Sequence, residues 1–84
     1  MRTLIAKGSD ARWRNYQLYD YGSSPWNPKT INGLLHDGTP YRYVCFYVGR
    51  TYTCSNNRED IIKQVKDATS GSCYYDMKGH FEMV

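Results

Sequence analysis

Two histidines and three cysteines are the residues of this 84-residue chain whose side chains are best suited to catalysis or metal binding. His36 precedes Asp37, and His80 stands close to Glu82, so either histidine could work with a carboxylate in acid–base catalysis, as in a small ribonuclease toxin. No pairing of a nucleophile with a base is visible in the sequence, and we therefore predict no catalytic residues. The ribonuclease stays a minor alternative.

Motifs for metals and cofactors are absent from the sequence. Zinc would need the histidines and cysteines to converge, but the chain has no C-x-x-C pair and no closely spaced pair of histidines. Neither the GxGxxG nor the GxxxxGK pattern that cradles phosphates occurs. We therefore predict no metal site and no cofactor.

The stretch PYRYVCFYVGRTYTC predicts a β-hairpin with strands over 41–48 and 51–55. Its centre is Gly49-Arg50, and a two-residue loop with glycine first is typical of a type II′ turn. This turn fixes the register of the two strands.

Cys45 and Cys54 face each other in this register, at a separation that a disulfide accepts. In a reducing cytosol we expect two thiols packed as small apolar groups, with the disulfide as the alternative. Cys73 is expected in the core.

Tyrosine is unusually frequent, with nine residues against two phenylalanines and two tryptophans. Its apolar ring and polar tip suit a surface that contacts a partner. Because a buried tyrosine hydroxyl needs a hydrogen-bond partner, we expect the helices to cover the drier face of the hairpin, with Val44, Phe46 and Val48. The tyrosines then point outward. The predicted binding surface consists of Tyr41, Tyr43, Tyr47, Tyr52, Arg50, Arg12 and Arg14.

The tyrosines on this face have alternatives to the role of a protein-binding surface. Cross-strand aromatic pairs stabilise hairpins without any ligand. The tyrosine face could also be covered by the N-terminal strands or by a second copy of the chain in a homodimer. Exposed tyrosines could instead stack the bases of RNA or single-stranded DNA. The strand signature of the RNA-recognition domain is not present, since RYVCFYV has no glycine at the matching place.

The N-terminal half predicts a hairpin and a short helix. Residues 1–7 and 12–21 read as strands that pair around residues 8–11, and residues 22–28 read as a loop. The segment NPKTINGLLHDG has a capping asparagine, a proline at the first helical position and an apolar i, i+3, i+4 spacing. The residues that carry this helix prediction are Asn27, Pro28, Ile31, Leu34, Leu35 and the terminating Gly38.

The C-terminal half predicts a longer helix and a last strand. Asn56 with Glu59 resembles a capping box, and Gly71 would end the helix. The buried stripe of this helix is Ile61, Ile62, Val65 and Ala68. Residues 73–78 alternate as a strand, and residues 80–84 continue it or fold back.

These elements predict one α+β domain over residues 1–84. The order is close to the βαββαβ arrangement of a ferredoxin-like fold, in which an antiparallel sheet carries two helices on one face. A variant of this fold with an extra N-terminal hairpin would accommodate the two strands predicted within residues 1–21.

Charge and hydropathy limit the partners. The formal charge of +3 at pH 7 allows contact with nucleic acid or an acidic protein without requiring either. No stretch is apolar enough to span a membrane, and the N-terminus lacks the apolar region of a signal peptide. We expect a cytoplasmic protein.

The chain resembles small accessory proteins of tailed bacteriophages, including inhibitors of host defence. The likeness lies in its size, its start at MRTLIAKG, its lack of cofactor motifs, and stretches such as RNYQLYDYG and TCSNNRED. The resemblance implies a non-catalytic blocker in the host cytoplasm that occupies a surface of a host enzyme or holds its nucleic acid. Blockers that mimic DNA are acidic, so the basic charge of this chain argues against mimicry.

We therefore predict a non-catalytic binding protein that inhibits a host defence or nucleic-acid-processing protein, or its nucleoprotein complex, through the tyrosine–arginine surface. Direct binding of RNA or single-stranded DNA is the first alternative.

Overall fold

A computed structural model describes residues 2–70 and 79–84 of the chain. Within these residues, five strands form one antiparallel sheet, two very short strands form a separate hairpin, and one α-helix is present. The elements in chain order are β1 (Thr3–Ser9), β2 (Asn15–Asp20), β3 (Thr30–Ile31), β4 (Leu34–Leu35), β5 (Tyr43–Tyr47), β6 (Arg50–Ser55), α1 (Arg58–Thr69) and β7 (His80–Met83).

The large sheet has the strand order β6-β5-β2-β1-β7, and every neighbouring pair is antiparallel. The predicted N-terminal hairpin is confirmed as β1 and β2, but β1 continues to Ser9 and β2 begins at Asn15, so the connection is residues 10–14 and not 8–11. Helix α1 follows the edge strand β6 and precedes β7 at the opposite edge, so it crosses one face of the sheet. The predicted ferredoxin-like fold with two helices is wrong, because the described residues contain one helix on a five-stranded antiparallel sheet.

The predicted helix that starts at Asn27-Pro28 is replaced by the β3–β4 hairpin. Asn32 and Gly33 have φ angles of 52° and 80°, which is the left-handed pair that a type I′ turn needs. Asn-Gly between apolar residues is a strong hairpin signal, and it outweighs the apolar spacing that suggested a helix. The supposed buried stripe is largely in solvent, with Leu34 and Leu35 exposed to 73% and 93%.

Helix α1 is confirmed, with its N-cap one residue later than expected. The side chain of Asn57 accepts a hydrogen bond from the backbone N–H of Asp60 at 3.0 Å. Ile61 and Val65 are fully buried, as the apolar stripe predicted. The other two members of the stripe, Ile62 and Ala68, are partly buried against the core.

Helix α1 ends at Thr69, and Ser70 is its C-cap. The predicted stop at Gly71, the predicted strand over 73–78 and Cys73 lie outside the described residues. Beyond them, β7 pairs antiparallel with β1, in the register Ala6 with Met83 and Ser9 with His80. The C-terminal segment therefore covers β1 and forms this edge of the sheet.

The β5–β6 turn lies one residue earlier than predicted. Val48 and Gly49 both have positive φ angles, 50° and 77°, so the turn is type I′ over Val48-Gly49 rather than type II′ over Gly49-Arg50. Tyr47 consequently pairs with Arg50, and a bulge leaves Tyr52 without a partner on β5.

The shifted turn and the bulge change the pairing of the cysteines. Cys45 lies opposite Thr53, and Cys54 lies opposite Val44, so the predicted pairing of the two cysteines is wrong. Both cysteines are free thiols.

The predicted facing of the hairpin is also wrong. Leu18 of β2 pairs with Cys45, and Tyr16 pairs with Tyr47, so the odd-numbered residues of β5 share the face that α1 covers. Tyr43 is 6% exposed and belongs to the core with Cys45. The face that was expected to be dry is covered instead by the loop before β3.

Trp26 provides this cover on the second face of the sheet. Its ring centroid lies 6.4 Å from that of Phe46 and 5.4 Å from that of Tyr21, with which it stacks. Val44, on the same side of β5 as Phe46, is fully buried. The sheet therefore has an apolar cluster on each face.

Val48 provides a test of the turn assignment. A left-handed backbone costs a branched residue about 1–2 kcal/mol, whereas asparagine adopts it readily. We expect Val48→Asn to raise the free energy of unfolding by about 1 kcal/mol in a denaturant titration. Val48→Thr keeps a branched Cβ and is the matched control, and an equal gain in that variant would contradict the backbone explanation.

Candidate functional site

Three turns meet at one end of the sheet, which we call the loop end: the β1–β2 connection (residues 10–14), the β3–β4 turn and the β5–β6 turn. The backbone N–H of Val48 donates to the carbonyl of Asn15 at 3.1 Å, which joins the β5–β6 turn to the start of β2. The backbone N–H of Asn32 donates to the carbonyl of Thr51 at 2.9 Å, which joins the small hairpin to β6.

A cleft of about 880 Å³ lies among these turns. Two guanidinium groups, two tyrosine rings and polar side chains line it. These residues include Arg14, Arg50, Tyr47, Tyr52, Asn32 and Thr51. The cleft is thus cationic and aromatic, with hydrogen-bonding groups in its walls.

Backbone strain is concentrated at the loop end. The non-glycine residues with positive φ in the described part of the chain are Trp13, Asn32 and Val48, and each belongs to one of the three turns. Asparagine tolerates this conformation, but tryptophan and valine rarely adopt it. Such strain persists where surrounding contacts enforce it, and it is often found at functional sites.

Asp10 enforces the conformation of the β1–β2 connection. Its Oδ1 accepts the backbone N–H groups of Arg12 and Arg14, each at 2.9 Å. Its main-chain carbonyl accepts the N–H of Trp13 at 3.0 Å, and its own N–H donates to the carbonyl of Arg14 at 3.0 Å. The connection is therefore closed around one side chain, and the indole of Trp13 is left 77% exposed between two arginines.

The second carboxylate oxygen of Asp10 connects this loop to the cleft. The hydroxyl of Tyr47 donates to Oδ2 at 2.7 Å, and Nε of Arg14 lies 3.5 Å from the same oxygen. The guanidinium of Arg14 also lies 5.9 Å from the centroid of the Tyr47 ring. Loop and cleft are thus parts of one site.

Hydrogen bonds keep Asp10 ionised and Tyr47 protonated. Burial opposes the ionisation of Asp10, but the hydrogen bonds from Tyr47, Arg14 and Arg12 together lower its pKa below the ordinary value. The hydrogen bond to Asp10, with some burial, raises the pKa of Tyr47. The negative charge of Asp10 is already engaged by these donors.

The arginines of the site differ in their partners. Arg14 forms the ion pair with Asp10, whereas Arg12 and Arg50 take part in none of the ion pairs among residues 2–70 and 79–84. Both of these side chains are exposed. Their charge is available to a ligand.

The structure brings together five of the seven predicted binding residues. Four of them line the cleft and Arg12 lies on the adjoining loop; the four are Arg14, Tyr47, Arg50 and Tyr52. Tyr43 is not among them because it is buried. Tyr41 is not among them either, since its backbone pairs with Trp26 and its ring lies 5.4 Å from that of His36.

The tyrosine rings do not form the open platform that the sequence predicted. Tyr16 and Tyr47 lie with centroids 4.4 Å apart, and Tyr52 meets them at 5.5 Å and 5.9 Å. Burial, chiefly, raises the pKa of Tyr16 to about 12. The rings pack on one another at the border of the core instead of standing separately in solvent.

Sequence reasoning did not include Trp13 in the candidate site because it was placed inside a strand. The signal that could have identified it is Asp10, since aspartate often organises a turn through its side chain. It also missed Asn32, whose Asn-Gly pair marks the turn that lines the cleft.

The remaining reactive residues lie apart from this site. His36 Nε2 lies 2.8 Å from the carbonyl oxygen of Thr39 and 3.5 Å from Asp37, while His80 lies 3.6 Å from Glu82, so each histidine has its own neighbours. No group of three potential metal ligands occurs in the described part of the chain.

Burial raises the pKa of the Cys45 thiol to about 12 and that of the Cys54 thiol to about 11. Both thiols are therefore protonated and weakly nucleophilic at neutral pH.

Comparison with models of protein families, with curated proteins and with solved structures gave no match to this chain. Among the described residues, no helix has both the length and the apolar character needed to cross a membrane. The geometry and charge of the loop end are accordingly the guide to function.

Asp10→Asn tests the role of the carboxylate charge. Because the pKa of Asp10 is lowered on folding, its charge stabilises the fold fully above the unfolded-state pKa of about 4, and this contribution is lost as the pH falls through the folded-state pKa. We expect the variant to lose about 1–3 kcal/mol of unfolding free energy at neutral pH, as for hydrogen bonds to a charged group. The deficit relative to the natural chain should shrink when denaturant titrations are repeated below the folded-state pKa.

Tyr47→Phe is the companion variant, since it removes one donor and keeps the carboxylate. It should show a smaller loss than Asp10→Asn. A deficit of Asp10→Asn that stays constant with pH would contradict the assignment of the charge.

Proposed function

We propose that this protein is a non-catalytic binding module that holds single-stranded nucleic acid, RNA or DNA, at its loop end. In this proposal it acts as a phage-type inhibitor by withholding the nucleic acid from the host protein that processes it. The observation that carries the proposal is the cleft, which Arg14, Arg50, Tyr47 and Tyr52 line, while Trp13 is exposed on the adjoining β1–β2 connection.

The chemistry of the cleft suits phosphate and base together. Guanidinium groups bind phosphate oxygens through charge-assisted hydrogen bonds, and the charge of Asp10 is already engaged. The cleft volume of about 880 Å³ falls within the range of small-ligand sites and has room for a nucleotide. The amide of Asn32 and the hydroxyl of Thr51 supply hydrogen-bonding groups for polar base edges or sugars.

The salt dependence of binding tests this proposal. Each phosphate contact contributes a slope of about −0.7 to the logarithm of affinity against the logarithm of salt for single strands. We expect oligo(U) and oligo(dT) to bind at low salt by fluorescence anisotropy, and Arg50→Gln to weaken binding and reduce the slope by about 0.7. Arg14→Gln should act in the same direction.

Arg58→Gln is the matched control, because Arg58 is also exposed but begins α1, whose start follows the opposite end of β6. It should leave both affinity and slope nearly unchanged. Absence of binding by the natural chain at low salt would refute the proposal.

A second candidate function is direct occupation of a surface of a host defence protein. It is favoured by the small hairpin, on which Leu34 and Leu35 are 73% and 93% exposed next to the loop end. A two-stranded hairpin gains little stability in water, and adjacent exposed leucines are typical of a contact surface for another protein. Val48, on another turn of the loop end, is also 58% exposed.

Affinity capture from a nuclease-treated bacterial host lysate tests the second candidate. We expect the natural chain to retain a host protein that the double variant Leu34→Ser, Leu35→Ser does not retain, because the apolar contact is lost. Val84→Ser is the control, since Val84 is 71% exposed at the far edge of the sheet. Equal capture by all three chains would exclude the hairpin as the contact.

A further inference from the structure

Trp13 differs from every other aromatic residue in the described part of the chain in its exposure. It is 77% exposed, whereas Trp26 is 39% exposed and stacks on Tyr21, and the tyrosines and phenylalanines are buried or half-buried. Both faces of an indole in solvent are free to stack. Tyr16, Tyr47 and Tyr52 pack against one another and are less exposed.

The exposure of Trp13 is built into the loop. Its φ angle of 68° is unfavourable for a large side chain, and burial of an indole would normally be favourable. Asp10 nevertheless holds the loop in this conformation through the backbone N–H groups of residues 12, 13 and 14. The fold thus maintains an arrangement that gives the isolated chain no packing benefit.

Arginine residues adjoin this indole in the chain. Arg12 and Arg14 flank it in the chain, and Arg14 and Arg50 both line the adjoining cleft. A ligand that complements this arrangement has a flat π-system for the indole and negative charges on either side of it. A single strand of nucleic acid provides both, whereas the bases of a duplex are already stacked and cannot reach the indole.

We infer that Trp13 is the base-stacking residue of the loop end and that it makes the site selective for single strands over duplex. This inference rests on the proposed nucleic-acid function and adds to it the stacking residue and the form of nucleic acid that is bound. Phosphates adjoining the stacked base lie against Arg12, Arg14 and Arg50. The cleft receives the neighbouring nucleotide.

The two tryptophans of the chain allow a direct test. In the Trp26→Phe variant, Trp13 is the sole tryptophan, and titration with oligo(U) or oligo(dT) should quench its fluorescence in step with binding measured by anisotropy. A duplex of the same length should bind more weakly and quench little. The converse variant, Trp13→Phe, leaves Trp26 as the reporter and should show no quenching.

Trp13→Asn removes the ring while keeping a residue that accepts the left-handed backbone, so the loop geometry is retained. We expect it to lower single-strand affinity about 5- to 150-fold, the range for loss of one stacked base, and to leave duplex affinity nearly unchanged. Trp13→Phe should lose less, since a smaller ring remains. A denaturant titration of each variant confirms that the fold is intact.

The outcomes separate this inference from the proposed function. Salt-dependent binding without quenching of Trp13, or with equal affinity for duplex, would overturn the inference and leave the proposed function standing. Absence of binding at low salt would overturn both. Trp13-dependent capture of a protein from nuclease-treated lysate, without any response to oligonucleotides, would also overturn the inference and assign the loop end to a protein partner.

Discussion

The hydrogen bond from the Tyr47 hydroxyl to the Asp10 carboxylate, 2.7 Å long, connects parts of the chain that are 37 residues apart. It fixes the β1–β2 connection against β5, and the same carboxylate closes the loop that presents Trp13. Without this hydrogen bond, the loop would lose its side-chain link to β5. The position of the tyrosine and the shape of the loop are therefore mutually dependent.

The opposite end of the β2–β5 pair is held by a corresponding contact. Arg42 donates to both carboxylate oxygens of Asp20, at 2.8 Å and 3.1 Å, and its guanidinium lies 5.2 Å from the ring of Tyr43. This bidentate contact is the main reason that the pKa of Asp20 is lowered. The central strand pair thus carries a charged contact near each end and apolar side chains between them.

The sheet and its turns differ in burial and in backbone geometry. The sheet and α1 bury Leu18, Ile61 and Val65 completely, and they form a rigid base. The loop end carries the strained backbone, the exposed Trp13 and Val48, and the side chains of Arg12, Arg14 and Arg50. Binding residues commonly lie on loops positioned by such a scaffold, because loop side chains can stay exposed without loss of core packing.

Local sequence patterns predicted several elements correctly. The apolar stripe and the capping asparagine–acid pattern located α1, and alternating residues around residues 8–11 located the first hairpin. The arginines of the site were also identified, since charged residues next to turns stay at the surface in nearly any fold.

The small hairpin could have been recognised from Asn32-Gly33, but the apolar spacing of Ile31, Leu34 and Leu35 fits a helix equally well.

Local sequence patterns could not predict the pairing register of β5 or which of its two faces packs against α1. A strand presents two faces, and the face that meets α1 was decided by pairing with β2, whose Leu18 and Tyr16 lie on the helix side. The bulge at Tyr52 and the turn at Val48-Gly49 then shifted the cysteines out of opposition. Residue types and their spacing thus determined the helix, the first hairpin and the basic character of the surface. Contacts between distant segments decided which tyrosines are buried and joined the β1–β2 connection to the cleft, because the free energy of burial depends on the whole set of neighbours that a side chain meets.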